Sequence, residues 1–426
     1  SKKELNKISF SHTIDSNNKS VISFFDMELV INDQKWLIEK NNETELPVLS
    51  FSRSEKDFSL INANFISGDQ NLDINISEDL KNSDYTLNFQ NVSLENFTSN
   101  KNKIFFQALV NGKVDLIKNN NEYMGSSSLK IDGLKANNSL LGSANLNINA
   151  SKDLKSFVMS FDIANESEKI LNLNGNFSIE KDFYPIDMEL TMSNFDIMPF
   201  SKIGDNVITD FKGFFNSKIL ISGNSMTPVF TGKIETEDVE FLIPYLNVNY
   251  QLINDPKFYL VNQTFELKDF NLYNSITKSI GSLNGKINHN KFKDWFLDLN
   301  IDTDNLLILD TNSENDAVYY GKGFLKGQAN IIGPGEDLFI DVKGSTNEGT
   351  ALTIPIKKSK NIGDLSYLNF TNNDEETEDL NFKRNGLKVN LDLEFTKNAN
   401  IEVILDPDSG SKLVSNGNGN LNFKIN

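Results

Sequence analysis

Apolar residues recur at every second position over long parts of the chain, the period at which side chains of a β-strand return to one face. Leu72, Ile74 and Ile76 alternate with Asp73 and Asn75, and Leu146 and Ile148, flanked by Ala144 and Ala150, alternate with Asn145, Asn147 and Asn149. The segment SFVMSFDI sets Phe157, Met159, Phe161 and Ile163 on one side, and LNLNGNFSI does the same with Leu171, Leu173, Phe177 and Ile179. Further on come Trp295, Leu297, Leu299 and Ile301, then Leu387, Val389, Leu391, Leu393 and Phe395, and last Leu421, Phe423 and Ile425. Each run predicts an amphipathic strand of roughly 6 to 10 residues with one dry and one wet face. Turn signals punctuate the runs: NGK at Asn111, DG at Asp132, GPGED at Gly333 and DPDSGSK at Asp406.

One segment has helical spacing. Between Phe195 and Gly213, residues Phe200, Ile203, Val207 and Phe211 fall at steps of three to four, with a proline at the start. A weaker helical option covers SLENFTSNKNKIFFQALV. The acidic stretch Asn369 to Gly386 interrupts the alternation and predicts a mobile loop. Elsewhere the texture is uniform and marks no clear domain boundary, which favours one extended sheet over several compact domains.

Length and composition narrow this. At 426 residues the chain forms two or more domains or one elongated repetitive body. A hydrophobic share of 38% excludes global disorder, and 32 Phe against 2 Trp favours strands. A net charge of −18 excludes nucleic acid, whose phosphates need a basic face. Without cysteine there is no disulfide, thiolate metal site or cysteine nucleophile. No apolar run approaches the length of a membrane-spanning helix. Ser1 opens on neither an initiator Met nor a signal peptide, so the chain reads as a piece of something longer, with any anchor outside it.

Catalytic vocabulary is sparse. The two histidines, His12 and His289, are far apart, and His289, at a strand end in GKINHN, reads as a surface residue. No nucleophile elbow, HExxH or Walker loop occurs. GPGED lies between two strands, so it reads as a hairpin turn, whereas a phosphate cradle opens a helix. Asp298, Asp302 and Asp304, like Asp406 and Asp408, lack the loop grammar of a calcium-binding EF-hand and read as solvated turn carboxylates. Nothing marks a pair among the 59 acidic residues as a glycosidase dyad. The expectation is no enzyme, no cofactor and no catalytic residue.

What remains is the apolar face itself. Burying each Leu, Ile or Phe gains about 1.5–3 kcal/mol, and the stripe exceeds the few hundred Å² of apolar patch that a soluble surface tolerates. Three covers are open: a second sheet, closure into a barrel, or a curved sheet holding an apolar ligand.

The order of motifs from Ile197 onward resembles the C-terminal region of the TamB family, within the AsmA-like proteins. The matching words begin with DIMPFSKIGDNVITDFKGFFNSKILISGNSMTPVFTGKIETEDVEFLIPYLNVNYQL, with Gly223, Pro228 and Gly232 in its turn and Pro244 and Tyr245 in its proline-aromatic step. GSLNGKINHNKFKDWFLDLNI and YYGKGFLKGQANIIGPGEDLFIDVKGSTNEGTALTIPI follow, then the closing strands with Asp406, Gly410, Gly417, Gly419 and Leu421. The first 195 residues match in alternating texture alone, and the spacing is most similar to Bacteroidota versions. The organisation the resemblance implies is a repetitive β segment over 1–195, a core over 196–368 with a short helix near 198–211, the acidic mobile loop 369–386, and closing strands over 387–426. The resemblance implies an all-β fold, a long twisted sheet curled lengthwise into a half-pipe with an apolar interior groove and one or two short helices. It implies a periplasmic conduit of the cell envelope, anchored in the inner membrane by a segment absent here, carrying phospholipid between inner and outer membranes. Its implied partners are phospholipid acyl chains, an outer-membrane assembly barrel of the TamA type and a membrane at each end. On that reading the groove lining comprises Leu146, Ile148, Phe157, Met159, Phe161, Leu171, Leu173 and Phe177 in the first half. In the second it comprises Leu297, Leu299, Ile301, Leu325, Ile331, Leu338, Ile340, Val342, Leu352, Ile354 and Val389, with Ala329 and Ile356 on the same side.

Two other readings stand beside it. A scaffold or chaperone would present open strand edges to outer-membrane proteins during assembly. A polysaccharide-handling β-sandwich would expose aromatic platforms, which two Trp residues hardly supply.

Overall fold

The computed structural model describes residues 6–425 apart from 33, 40–46, 53–56, 80, 98–103, 121, 167, 180–183, 205–207, 313–319, 336, 356–386, 407–409 and 417. Alternation does produce strands, and the fold is all-β. The order starts with β1 (Lys7–Ile14), β2 (Ser20–Ile31), β3 (Gln34–Glu39), β4 (Val48–Ser52), β5 (Asp57–Ser67), β6 (Gln70–Glu78) and β7 (Asn82–Ser93). It continues with β8 (Phe106–Asn119), β9 (Glu122–Ala136), β10 (Ser139–Ala150), β11 (Ser156–Asn165), β12 (Glu168–Ser178), β13 (Pro185–Asp196) and β14 (Thr209–Asn224). Next come β15 (Thr227–Ile243), β16 (Val248–Ile253), β17 (Lys257–Asn262), β18 (Thr264–Asn274), β19 (Ser279–Asn290), β20 (Lys293–Thr311) and β21 (Tyr320–Pro334). The last six are β22 (Leu338–Thr346), β23 (Ala351–Pro355), β24 (Leu387–Phe395), β25 (Asn400–Asp406), β26 (Ser411–Asn416) and β27 (Gly419–Ile425).

The chain divides into two units, the first comprising Ser1–Ile203, Lys212–Glu237 and Tyr259–Asn262 and the second the remainder. In the first unit, β5 to β14 form an antiparallel meander in which each strand pairs with the next. Two expected turns are not turns. Asn111 lies inside β8 and Asp132 inside β9, both at β-bulges. Opposite Asn111, Asn91 adopts φ 53° and donates its N–H to the Asn111 Oδ1 at 2.8 Å. This bulge uses a left-handed residue, and Asn tolerates that conformation through local hydrogen bonding. An Asn-Gly pair can therefore serve a bulge partner as well as a hairpin.

The expected helix near 198–211 is also corrected. A 3-10 turn spans Met198–Gly204, and Phe211 belongs to β14. Phe200 packs on a core of Ala108, Leu134, Ala136, Leu141, Ala144 and Ile163, and burial of one aromatic needs no continued helix. The weaker helical option gives a 3-10 turn, Leu94–Asn96, capped by Ser93, before β8.

In the second unit, β18 to β22 are antiparallel, β22 and β23 pair in parallel with β24 and β25, and β27 and β26 return antiparallel to these. Both β22 and β23 lie along β21, interrupted by a turn. Buried Thr350 holds that turn, its Oγ1 accepting from the Phe324 N–H at 3.1 Å and its carbonyl from Asn400 at 2.9 Å. The neighbouring turn is tied in by the Thr396 N–H, which donates to the Thr346 Oγ1 at 3.1 Å. GPGED closes a hairpin as expected, the Asp337 N–H donating to the Pro334 carbonyl at 2.9 Å. The loop 369–386, Ile356, Asp408 and Gly417 lie outside the described residues.

Candidate functional site

Strand register turns sequence parity into geometry, because residues directly opposite each other share a face. In the first unit one such row runs Phe65, Leu72, Phe89, Gly112, Leu129, Leu146, Phe161, Leu173, Leu190 and Ile219, one residue from each of ten successive strands. A second row beside it runs Ala63, Ile74, Leu87, Val114, Ser127, Ile148, Met159, Gly175, Met188 and Ile221. At about 4.8 Å per strand each row extends on the order of 40 Å. Phe157 and Phe177 continue the face, their rings stacked 4.9 Å apart.

Neither row carries a charge. In the first row every residue but Ile219 is half-buried, and in the second all but Ala63 and Met188 are. A sandwich core would bury such side chains fully, and an ordinary surface would not carry so many in sequence. The opposite face is polar across the same strands: Asp73, Asn88, Lys113, Ser128, Asn147, Ser160, Asn174 and Glu189 succeed one another. Cross-strand hydrogen bonds tie it, with Asn88 on Asp73 and Ser128 on Asn147, each at 3.0 Å.

The second unit has comparable rows with a different fate. Phe270, Leu283, Ile301, Ala329, Val342 and Leu391 are successive partners, as are Leu267, Gly285, Leu299, Ile331, Ile340 and Val389. Here Phe270 is 0% exposed and Val342 5%, so much of the face is protein interior.

All eight residues singled out in the first half, Leu146, Ile148, Phe157, Met159, Phe161, Leu171, Leu173 and Phe177, lie half-buried on the one face. In the second half Leu297, Leu299, Ile301, Ile331, Ile340 and Ile354 are half-buried. Leu325, Leu338, Val342, Leu352 and Val389 are buried. Leu325, Val342 and Val389 share one core cluster, while Leu352 joins another with Leu309, Phe395 and Ala399. Residues missed at first, Met188, Leu190 and Ile219 among them, carry the same step-of-two signal in IDMELTM and KILIS.

His289 is a correction. It is 5% exposed, in a cluster with Phe265, Phe292 and Trp295, and its polar context in GKINHN concealed the aromatic neighbours that β18 and β20 bring. Burial lowers its pKa below the ordinary imidazole value. Burial also raises that of Tyr250, whose hydroxyl donates to the Leu307 carbonyl at 2.6 Å. Among the described residues no group of three or more His, Cys, Asp or Glu could hold a metal ion, and no helix is long and apolar enough to cross a membrane.

Residues 271–426 match the family model described as the TamB C-terminal domain. No curated protein and no solved structure matches the chain.

Proposed function

We propose that this is a TamB-type chain of the cell envelope, a reading supported by the match of residues 271–426 to the TamB C-terminal domain, and that its half-buried apolar face is a wall along which phospholipid acyl chains travel between inner and outer membranes. The observation that supports this is the pair of uncharged rows crossing ten strands of the first unit, apolar throughout except at Ser127 and two glycines. Acyl chains need no catalytic group. They need a continuous dry surface, and each buried methylene contributes about 0.8 kcal/mol wherever it rests. Sliding by one strand exchanges one set of Leu, Ile and Phe contacts for an equivalent set, so the free energy changes little along the path. The reading places the chain in the periplasm, anchored through a separate segment, with an assembly barrel of the TamA type as partner and no chemistry performed.

A second reading, a scaffold for outer-membrane proteins, draws support from β26. That strand pairs only with β25 among the described residues and leaves Leu413 and Val414 exposed at 60% and 56%. An open edge of this kind can template an incoming strand. Native mass spectrometry of the purified chain separates the two. Phospholipid released on activation supports the conduit, and a peptide segment with no lipid supports the scaffold in its place.

A further inference from the structure

The end of the second unit where β19 turns into β20 holds a buried imidazole in an aromatic cage. The His289 ring stacks on Phe292 at 4.5 Å, with Phe265 at 5.2 Å and Trp295 at 5.3 Å. Its Nδ1 accepts the backbone N–H of Phe292 at 3.1 Å, so this nitrogen carries no proton and the ring itself closes the turn. The turn is held further by Gln263, whose carbonyl accepts the His289 N–H at 2.9 Å and whose Oε1 accepts the Lys291 N–H at 3.0 Å. The cage also terminates a row of the apolar face, since Phe265 pairs with Ile287 and Ile287 with Leu297.

Among the described residues, the charged side chains of the packing elements lie toward solvent. Lys257 on β17, Lys268 on β18, Lys286 on β19, Lys291 in the turn, and Lys293 and Asp294 on β20 are all exposed. Asp294 accepts instead from Asn290, at 3.2 Å. Glu266 is paired with Lys286 at 3.0 Å, one position away from Phe265 and so on the opposite face.

We propose that His289 is a proton-operated latch: protonation of Nδ1 turns the acceptor of the Phe292 N–H into a donor, breaks the turn, and opens the aromatic end of the apolar face. Two N–H groups cannot share one hydrogen bond, and burial disfavours the charged form of the ring. The depressed pKa has the same sign. Neutral His289 stabilises the closed turn above the unfolded imidazole value of about 6.5, and that stabilisation is lost as pH falls through the lower folded value. The latch stands independently of what the apolar face carries.

The chain contains two Trp and two His, which makes the test direct. With Trp36→Phe and His12→Gln, Trp295 is the sole indole and His289 the sole imidazole. Lowering the pH from about 8 to about 4.5 is expected to shift Trp295 emission to the red in a one-proton transition with its midpoint below about 6.5, while far-UV circular dichroism keeps its β signal. His289→Phe, which cannot be protonated, is expected to abolish the transition. On the unsubstituted chain, hydrogen exchange corrected for intrinsic rates is expected to show lost protection at the Phe292 amide over the same range. The same transition in His289→Phe, or full protection of Phe292 down to the lower limit, overturns the latch.

Discussion

Leu146 and Phe161 stand directly opposite each other on β10 and β11, while their chain neighbours Asn147 and Ser160 are paired on the reverse side. That single register relation, repeated across the first unit, separates an apolar wall from a polar exterior without any second layer being needed to explain the pattern. A shift of one residue in either strand would exchange the two faces, so the turns and bulges that set register also set the wall.

Stability should distinguish wall from interior. Leu325, 1% exposed within a core cluster, is expected to cost about 2–5 kcal/mol on Leu325→Ala. Leu173→Ala removes the same atoms from a half-buried wall position and is expected to cost less. Urea denaturation of both variants checks the order. Equal losses would mean that Leu173 is as enclosed as Leu325.

Bulge glycines are the second test. Gly285 has φ 139°, and a Cβ there would lie 2.1 Å from the Asp298 carbonyl oxygen. Gly285→Ala is therefore expected to destabilise by more than the roughly 1 kcal/mol that alanine gains at a permissive glycine site. The neighbouring bulge residue Asp269, at φ 57° with its N–H donated to the Asn284 Oδ1 at 2.7 Å, depends on the same geometry. Asn284→Ala should lower the denaturation midpoint as well.

Asp341 gives a pH signature. Asn390 donates to its Oδ1 at 2.5 Å and holds the carboxyl below its usual range, with Lys343 at 3.1 Å adding to the effect. A lowered carboxylate pKa contributes stability that is present above the unfolded value of about 3.9 and disappears as pH falls through the folded value. Denaturation midpoints measured on either side of that window should differ less in Asn390→Ala than in the parent chain. An unchanged difference would remove Asn390 as the cause.

Strands and facings were legible in the sequence because the period of two is local: Leu171, Leu173 and Phe177 declare their side without knowledge of any neighbour. Which strand lies next was not legible. The parallel pairing of Ile340 with Val389 joins segments separated by an acidic stretch, and nothing in either run announces its partner. Enclosure was equally hidden, since Phe161 and Val342 look alike in alternation, yet the first is half-buried and the second is 5% exposed. Asn111-Gly112 misled because the Asn111 amide supports a left-handed bulge residue, Asn91, on the partner strand, and nothing local to the pair distinguishes that role from a hairpin turn.

The most direct measurement is site-specific photo-crosslinking along β11 and β12 in envelopes containing the protein. Probes at Phe161 and Leu173, successive partners on the apolar face, are predicted to capture phospholipid, and probes at Ser160 and Asn174, successive partners on the polar face, are predicted to capture none. Equal labelling from both faces, or lipid captured from neither, would contradict the assignment of this face as a lipid path.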